Sequence, residues 1–398
     1  MKPSAGQKQL SALWLLCLGS IDGTLLRLPI SQTFITWENI FTVSMIVPIR
    51  ADNQTLNLMM DTGTDTTFLL SNQSRCDGKP CGGSVFGCYQ CELAVCDRES
   101  TEVVFGDDSS TSIVHHKGEL ELGGVRVSDV DFGIVKDYST NGLPPHASLG
   151  LRLRSEDIDE DNDSDFVPIL DQLVDKGIIT GKKFSIYFEP KNMDEGELII
   201  GGEDTTRYQE PLAHVPLTVG TNAWSVDLRR VEVAGQHINL PYTSYSAEID
   251  SGATSLYAPR EVTGPILEAI NASLNAAGRY MLSRPSGYHE LQSCSDRDYL
   301  PAINLALRGE SDDAVNVTIL KDLYVLEWPG GGRCSILIVE LPGMFVVGLG
   351  LLRQYYLHYQ AEKRQIGIAL TKAKPTFRRL RRRVRKSQPS KVRTFPDA

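Results

Sequence analysis

No apolar run in this 398-residue chain is long enough to cross a bilayer. The C-terminus is basic rather than apolar, so a lipid-anchor signal is not expected. Neither His-Glu-x-x-His nor Gly-x-Ser-x-Gly occurs, which argues against zinc-peptidase and serine-hydrolase chemistry. Histidine is scarce, and the pair His115-His116 lacks ligand spacing. On a strand its two rings point to opposite faces, and both read as surface residues. Gly330-Gly331-Gly332 runs into Arg333-Cys334 rather than Lys-Ser/Thr, so no phosphate loop is expected. Helical periodicity is also rare. Phe166–Lys176 spaces apolar residues by three and four before a stop at Gly177, and Arg260–Ala277 contains a second such segment.

Short alternating or apolar runs bounded by turn residues are plentiful instead. They include Phe41–Pro48, Thr55–Met60, Glu102–Phe105, Glu119–Val127, Phe184–Phe188, Glu197–Ile200 and Ser225–Val233. The class is mainly β with a few short helices. At this length, two lobes are the natural expectation.

Lys2 and Lys8 precede the apolar run Leu10–Leu18, and small residues Gly19, Ser20 and Gly23 follow it. That order reads as a secretory signal peptide over residues 1–23, with a buried N-terminal helix as the alternative. Five glycosylation sequons, at Asn53, Asn72, Asn162, Asn271 and Asn316, support a secreted, extracellular protein. Of eight cysteines, Cys17 leaves with the signal peptide. Cys76, Cys81, Cys88, Cys91 and Cys96 crowd together, while Cys294 and Cys334 stand apart. Behind a signal peptide disulfides are expected rather than zinc. Seven is odd, so one thiol of the cluster stays outside the bridges or pairs elsewhere.

The formal charge of −10 hides an asymmetry. Residues 372–398 carry eleven Lys/Arg and one Asp, so the preceding body holds 29 basic against 49 acidic residues. Such a body loses negative charge as pH falls, which suits an acidic setting. The tail 372–398 is read as disordered, open to polyanion binding or trimming. The acidic run Glu156–Asp165 is read as a solvated loop, since the EF-hand order of ligands and glycine is missing.

The decisive feature is an internal echo. Leu58–Thr64 (LMMDTGT) runs an apolar strand into Asp61-Thr62-Gly63, and Ala247–Ala253 (AEIDSGA) repeats the pattern at Asp250-Ser251-Gly252, 189 residues later. Each is followed about ninety to a hundred residues on by an apolar pair and glycine, at Ser148-Leu149-Gly150 and Val346-Val347-Gly348. About 0.2 such Asp-[Thr/Ser]-Gly triplets are expected by chance at this length. Two, each with a matching downstream glycine, indicate two related lobes contributing one carboxylate each.

Splitting a peptide bond without metal or covalent intermediate needs a base for water and an acid for the carbonyl oxygen. Two carboxylates a few ångströms apart cannot both ionise cheaply, so one keeps a proton and the pair supplies both roles. They titrate as a unit. Thr62 and Ser251 offer hydroxyls to lock the turns across the lobes, and Gly63 and Gly252 allow close approach of backbone amides.

On these motifs the chain resembles the pepsin family from about Phe34 to Leu370. Pro168–Thr180 and Phe184–Phe188 look like the family's helix and following strand, and Gly201-Gly202-Glu203-Asp204 resembles its inter-lobe strand. Arg353–Tyr356 and Gln365–Ala369 resemble its C-terminal signature. The resemblance implies a two-lobed pepsin-like acid protease fold with a central cleft and a flap hairpin. It also implies a disulfide between Cys294 and Cys334.

Three departures carry expectations. Phe105 stands at the flap position where the family has Tyr, and Phe68 where it often has Trp; losing both polar groups together strands neither, so the flap is expected to close by apolar packing alone. Thr64 keeps a hydroxyl able to bond Asp61, whereas Ala253 has none for Asp250, which should raise the pair's apparent pKa. About forty residues separate the cleavage zone from Asp61, too few for a typical inhibitory prosegment, so either the protein is expected to be made active or the sequence begins short of its true N-terminus.

The expectation is therefore a secreted aspartic endopeptidase, with lobes at 24–205 and 206–371 and catalytic residues Asp61 and Asp250. Substrate contacts are assigned to Gly63, Thr64, Phe105, Gly106, Asp107, Gly252, Ala253 and Thr254. Partners would be extended peptides or proteins, with no nucleic acid, no cofactor, no metal and a monomeric state. The alternative is a catalytically weak or inactive peptide-binding member of the same fold, motivated by Phe68, Phe105 and Ala253.

Overall fold

The computed structural model describes residues 24–372, except 38–39, 81–84, 93–95, 97, 107, 142, 155–165, 241, 243 and 285–287. The expected signal peptide, Cys81, Asp107, the whole acidic run Glu156–Asp165 with Asn162, and the tail beyond Lys372 lie outside the described residues.

Among the described residues strands dominate, gathered into sheets of fifteen, eight and four. Apolar alternation explains the half-buried ones. In Leu26–Trp37, Leu26, Leu28 and Ile30 are buried while Pro29 and Ser31 face solvent. Lys183–Glu189 (KFSIYFE) is buried through its five central residues, covered on both faces. It pairs with Asn192–Ile200 on one side and Tyr355–Gln360 on the other, Lys183 facing Gln360. Gln365–Leu370 and Ala213–Pro216 extend that sheet. The last strands of the chain therefore return to a sheet that begins at Leu26.

Most of the expected strands form, but Glu119–Val127 is two strands. Ser110–Leu122 turns back into Val125–Ser139 at Gly123-Gly124, with Leu122 opposite Val125. Both glycines have positive φ (57° and 82°), a tight hairpin turn that apolar flanks conceal in the sequence. The helix expected over Phe166–Lys176 is shorter, Ile169–Asp175, because Pro168 holds an extended ψ of 144° at its start. Gly177 stops it, with φ +66° and its amide on the Val174 carbonyl. The second helix spans Arg260–Ala276 and accommodates Pro265 near its start.

The internal echo has a structural counterpart. Strand Gln54–Asp61 runs parallel to Ser148–Gly150 with Asp61 opposite Gly150, and Tyr245–Asp250 runs parallel to Phe345–Gly348 with Asp250 opposite Gly348. Glycine is required at both places. A Cβ on Gly150 would fall 2.7 Å from the Thr66 backbone, and one on Gly348 would fall 2.5 Å from the Ala253 carbonyl oxygen.

Cys294–Cys334 is bridged as the resemblance implied. Within the cluster, Cys91 pairs with Cys96, Cys76 is also disulfide-bonded, and Cys88 is half-buried. Among the described residues no helix is long and apolar enough to cross a membrane.

Candidate active site

Asp61 and Asp250 end their strands, and the two loops that follow are bolted together through buried hydroxyls. Thr62 Oγ1 donates to the Ile249 carbonyl (3.0 Å) and accepts the Ser251 amide (2.9 Å). Ser251 Oγ donates to the Met60 carbonyl (2.7 Å) and accepts the Thr62 amide (2.9 Å). Four reciprocal bonds satisfy both hydroxyls and fix one loop against the other.

The glycines then bring the carboxylates together. A Cβ on Gly63 would lie 2.8 Å from Asp250 Oδ2, and one on Gly252 would lie 2.5 Å from Asp61 Oδ1, so each carboxylate rests on the other's loop. The Gly63 amide donates to Asp61 Oδ1 and the Gly252 amide to Asp250 Oδ1, both at 2.8 Å. Burial pushes the Asp61 carboxyl well above the ordinary range; the charge of Asp250 adds to this, and the Gly63 amide and the Ser148 hydroxyl oppose it. Burial raises Asp250 as well, against the Gly252 amide, the Arg152 charge and the amides of Ala253 and Gly63. An enclosed pair so arranged holds a proton into the range where a lone carboxyl would have lost it.

Ser148 was not foreseen in this role. Its hydroxyl donates to Asp61 Oδ2 (3.2 Å), whereas Thr64 Oγ1, expected there, accepts the Thr66 amide (3.4 Å). The signal available was its place one residue before the apolar-Gly pair that registers against the strand ending at Asp61.

The hairpin of Thr101–Val104 and Ser110–Leu122 carries Phe105 and Gly106 at its tip. Phe105 meets Phe68 (ring centroids 5.8 Å apart), as expected, but also stacks on Tyr138 (6.1 Å) and touches His146 (5.2 Å). Closure is thus not apolar alone: the Tyr138 hydroxyl and His146 Nδ1 lie 2.8 Å apart inside the cluster. A Cβ on Gly106 would fall 3.9 Å from Met344 Cε, so the tip reaches across toward the strand that registers with Asp250. Thr254 Oγ1 donates to the Val43 carbonyl (3.0 Å). It lines, with Ala253, Val43, Met45 and Gln32, a recess of about 30 Å³ that is large enough for water.

Outside this centre, His115 and His116 are not simple surface residues. His116 Nε2 lies 2.9 Å from Asp52 Oδ2, and His115 stacks on Phe166 with ring centroids 3.6 Å apart. Asn53, Asn72 and Asn316 are exposed; Asn271 is half-buried on the second helix.

Two enclosed carboxylates thus meet on two interlocked loops, one from each Asp-Thr/Ser-Gly triplet. A family model, eukaryotic aspartyl protease, matches residues 45–371, and the chain belongs to that family. It is 23% identical over 345 residues to an acid protease of Saccharomycopsis fibuligera, covering 82% of this chain and 80% of that one. Secreted aspartic protease 1 of Candida albicans is 24% identical over 337 residues, with 82% and 80% covered. Pepsin A of Bos taurus is 23% identical over 349 residues, with 85% of each covered.

Proposed function

We propose that the chain is a secreted aspartic endopeptidase that cleaves internal bonds of extended peptides and proteins. The observation that carries this reading is the mutual enclosure of Asp61 and Asp250, each seated against the other's glycine. The ionised member of the pair takes a proton from a water between them, and that water's oxygen attacks the scissile carbonyl carbon. The protonated member gives its proton to the carbonyl oxygen. As the tetrahedral intermediate collapses, the pair gives a proton to the leaving nitrogen and the C–N bond breaks. One hydroxyl of the intermediate returns its proton to the pair as the carboxyl C=O forms, leaving the pair with one proton as at the start. The paired-aspartate arrangement is the general pattern for this chemistry and sets no pKa here.

Substrate is proposed to lie as a strand beneath Phe105 and Gly106, against Gly63, Thr64, Gly252, Ala253 and Thr254. The lobes are proposed as 24–205 and 206–371, in a monomer. The disulfides support passage through an oxidising compartment, and a relative whose name marks it as secreted points the same way. The test is cleavage of a denatured protein at acidic pH. Asp61→Asn should lower the rate roughly a thousandfold or more, and pepstatin should inhibit the parent. Intact substrate with tight pepstatin binding would instead favour the second reading, a quiet peptide-binding cleft, which the absent flap hydroxyl at Phe105 motivates.

A further inference from the structure

A third carboxylate lies beside the pair, and the reaction as derived above does not use it. Glu248 precedes Asp250 by two residues on strand Tyr245–Asp250, and side chains two apart on a strand share a face. Its side chain is only 11% exposed, and Oε1 is buried with no hydrogen-bond partner among the described residues. The nearest cation comes from the other half of the chain. Arg152 Nη1 is 3.8 Å from Glu248 Oε1, and the same nitrogen donates to the Gly63 carbonyl at 2.8 Å.

Arg152 is itself rigidly placed. Its amide donates to the Thr64 carbonyl (3.0 Å), the Leu151 amide donates to the Asp61 carbonyl (2.8 Å), and the Trp224 indole holds the Leu151 carbonyl (2.8 Å). Nη2 reaches Asn222 Oδ1 at 3.4 Å. One guanidinium therefore holds the first catalytic loop and faces a buried carboxylate from the second. A buried acid without hydrogen bonds is an expensive way to fasten two loops. A charge that close to two coupled carboxyls does more than fasten.

We propose that Arg152 and Glu248 form a positioning pair that braces the Gly63 carbonyl and sets the pH range over which Asp61 and Asp250 keep their shared proton. The proposal rests on the endopeptidase reading for its kinetic consequence, not for its electrostatics. The charged groups facing Glu248 are Arg152 from the segment after Gly150, Asp250 on its own strand and Asp61 on the facing one; the Tyr359 phenol approaches Asp250 from Tyr355–Gln360. Burial pushes the Glu248 carboxyl up to about 7, with Arg152 opposing and Asp250 adding. Below neutrality Glu248 is uncharged, and Arg152 acts unopposed to favour the ionised form of Asp250. As pH rises through 7 Glu248 ionises, and its charge discourages loss of the last proton from Asp61. The pair thus widens the singly protonated window from both ends.

The test is the pH profile of kcat/KM for Glu248→Gln, Arg152→Met in the E248Q background, and Arg152→Lys. Glu248→Gln should move the alkaline limb to lower pH by roughly half to one unit. Adding Arg152→Met should move the profile back toward higher pH, and Arg152→Lys, which keeps the charge, should leave it near the parent's. Rates that fall with limbs unmoved, or limbs that move the same way in both variants, would overturn the proposal. Melting temperature against pH gives a readout independent of cleavage: Glu248→Gln should flatten the decline between about pH 6 and 8. If the parent cleaves nothing, the endopeptidase reading falls, and a decline in E248Q as steep as the parent's would still refute the pair.

Discussion

The Ser148 hydroxyl donates to the Asp61 oxygen that the Gly63 amide does not hold, so both oxygens of that carboxylate have a donor. A donor to an ionised carboxylate stabilises its charge. Ser148→Ala removes one, and the pair's apparent pKa should rise. The alkaline limb of the rate profile should then shift upward by roughly half a unit, with a rate loss of less than about tenfold. Among the described residues, Asp250 accepts from the backbone amides of Gly252, Ala253 and Gly63, with no side-chain hydroxyl. Ala253→Thr offers it a hydroxyl and should shift the limb the opposite way; a pH–rate series on the two variants checks both signs. The paired aspartates were legible as residues because their triplets recur with a fixed grammar. Ser148, Arg152 and Glu248 were not, because each acts through a contact made only when segments some ninety residues apart meet, and no local period marks such a contact.

At the scale of elements, what could be read was the strand content and the two downstream glycines; what could not was where apolar runs bend. Glu119–Val127 looked continuous because Leu120, Leu122, Val125 and Val127 alternate across a turn whose only mark is Gly123-Gly124. The glycines after the apolar pairs were visible, but their purpose was not. Gly348 closes a parallel register against Asp250 while the chain after Ser251 folds over it, leaving no space for a methyl group. Gly348→Ala should therefore cost about 2–4 kcal/mol in a denaturant titration, since backbone rather than a flexible side chain must give way. Activity should fall more than stability alone predicts, because the displaced strand carries Asp250's register. The flap differs in kind. Phe105 packs on Phe68, Tyr138 and His146, all within the first half of the chain, so the hairpin keeps its shape without contact from the substrate side.

Over the whole molecule, the ionisable groups are divided by pH. Asp52, Asp77, Asp204 and Glu290 all have lowered pKa values. For Asp52, Asp204 and Glu290 burial opposes the shift and is outweighed by Tyr89, by Thr206 with Arg27, and by Arg333 with Arg284 respectively; for Asp77 the Thr140 hydroxyl leads. A carboxyl with a lowered folded pKa contributes stability above its unfolded value of about 4 and loses it as pH falls further. Asp61, Asp250 and Glu248 have the opposite sign. Burial raises all three, Glu248 to about 7 and Asp61 to about 8, so between about pH 4 and 8 the unfolded chain has released protons that the folded chain retains. Fewer protons on the unfolded state means stability falls as pH rises through that window. His358, buried and lowered, opposes this only below its ordinary value of about 6.5, where the unfolded imidazole charges first. From about pH 6 to 8 the carboxyls therefore act almost alone, and the melting temperature should drop across that interval. Asp61→Asn should blunt the drop, since an amide has no proton to lose, and should raise the melting temperature at pH 8 above the parent's. A parent curve that is flat or rising from pH 6 to 8 would mean that these three carboxyls ionise as readily in the folded chain as in the unfolded one. In that case the enclosed pair could not hold its proton as the proposed chemistry requires.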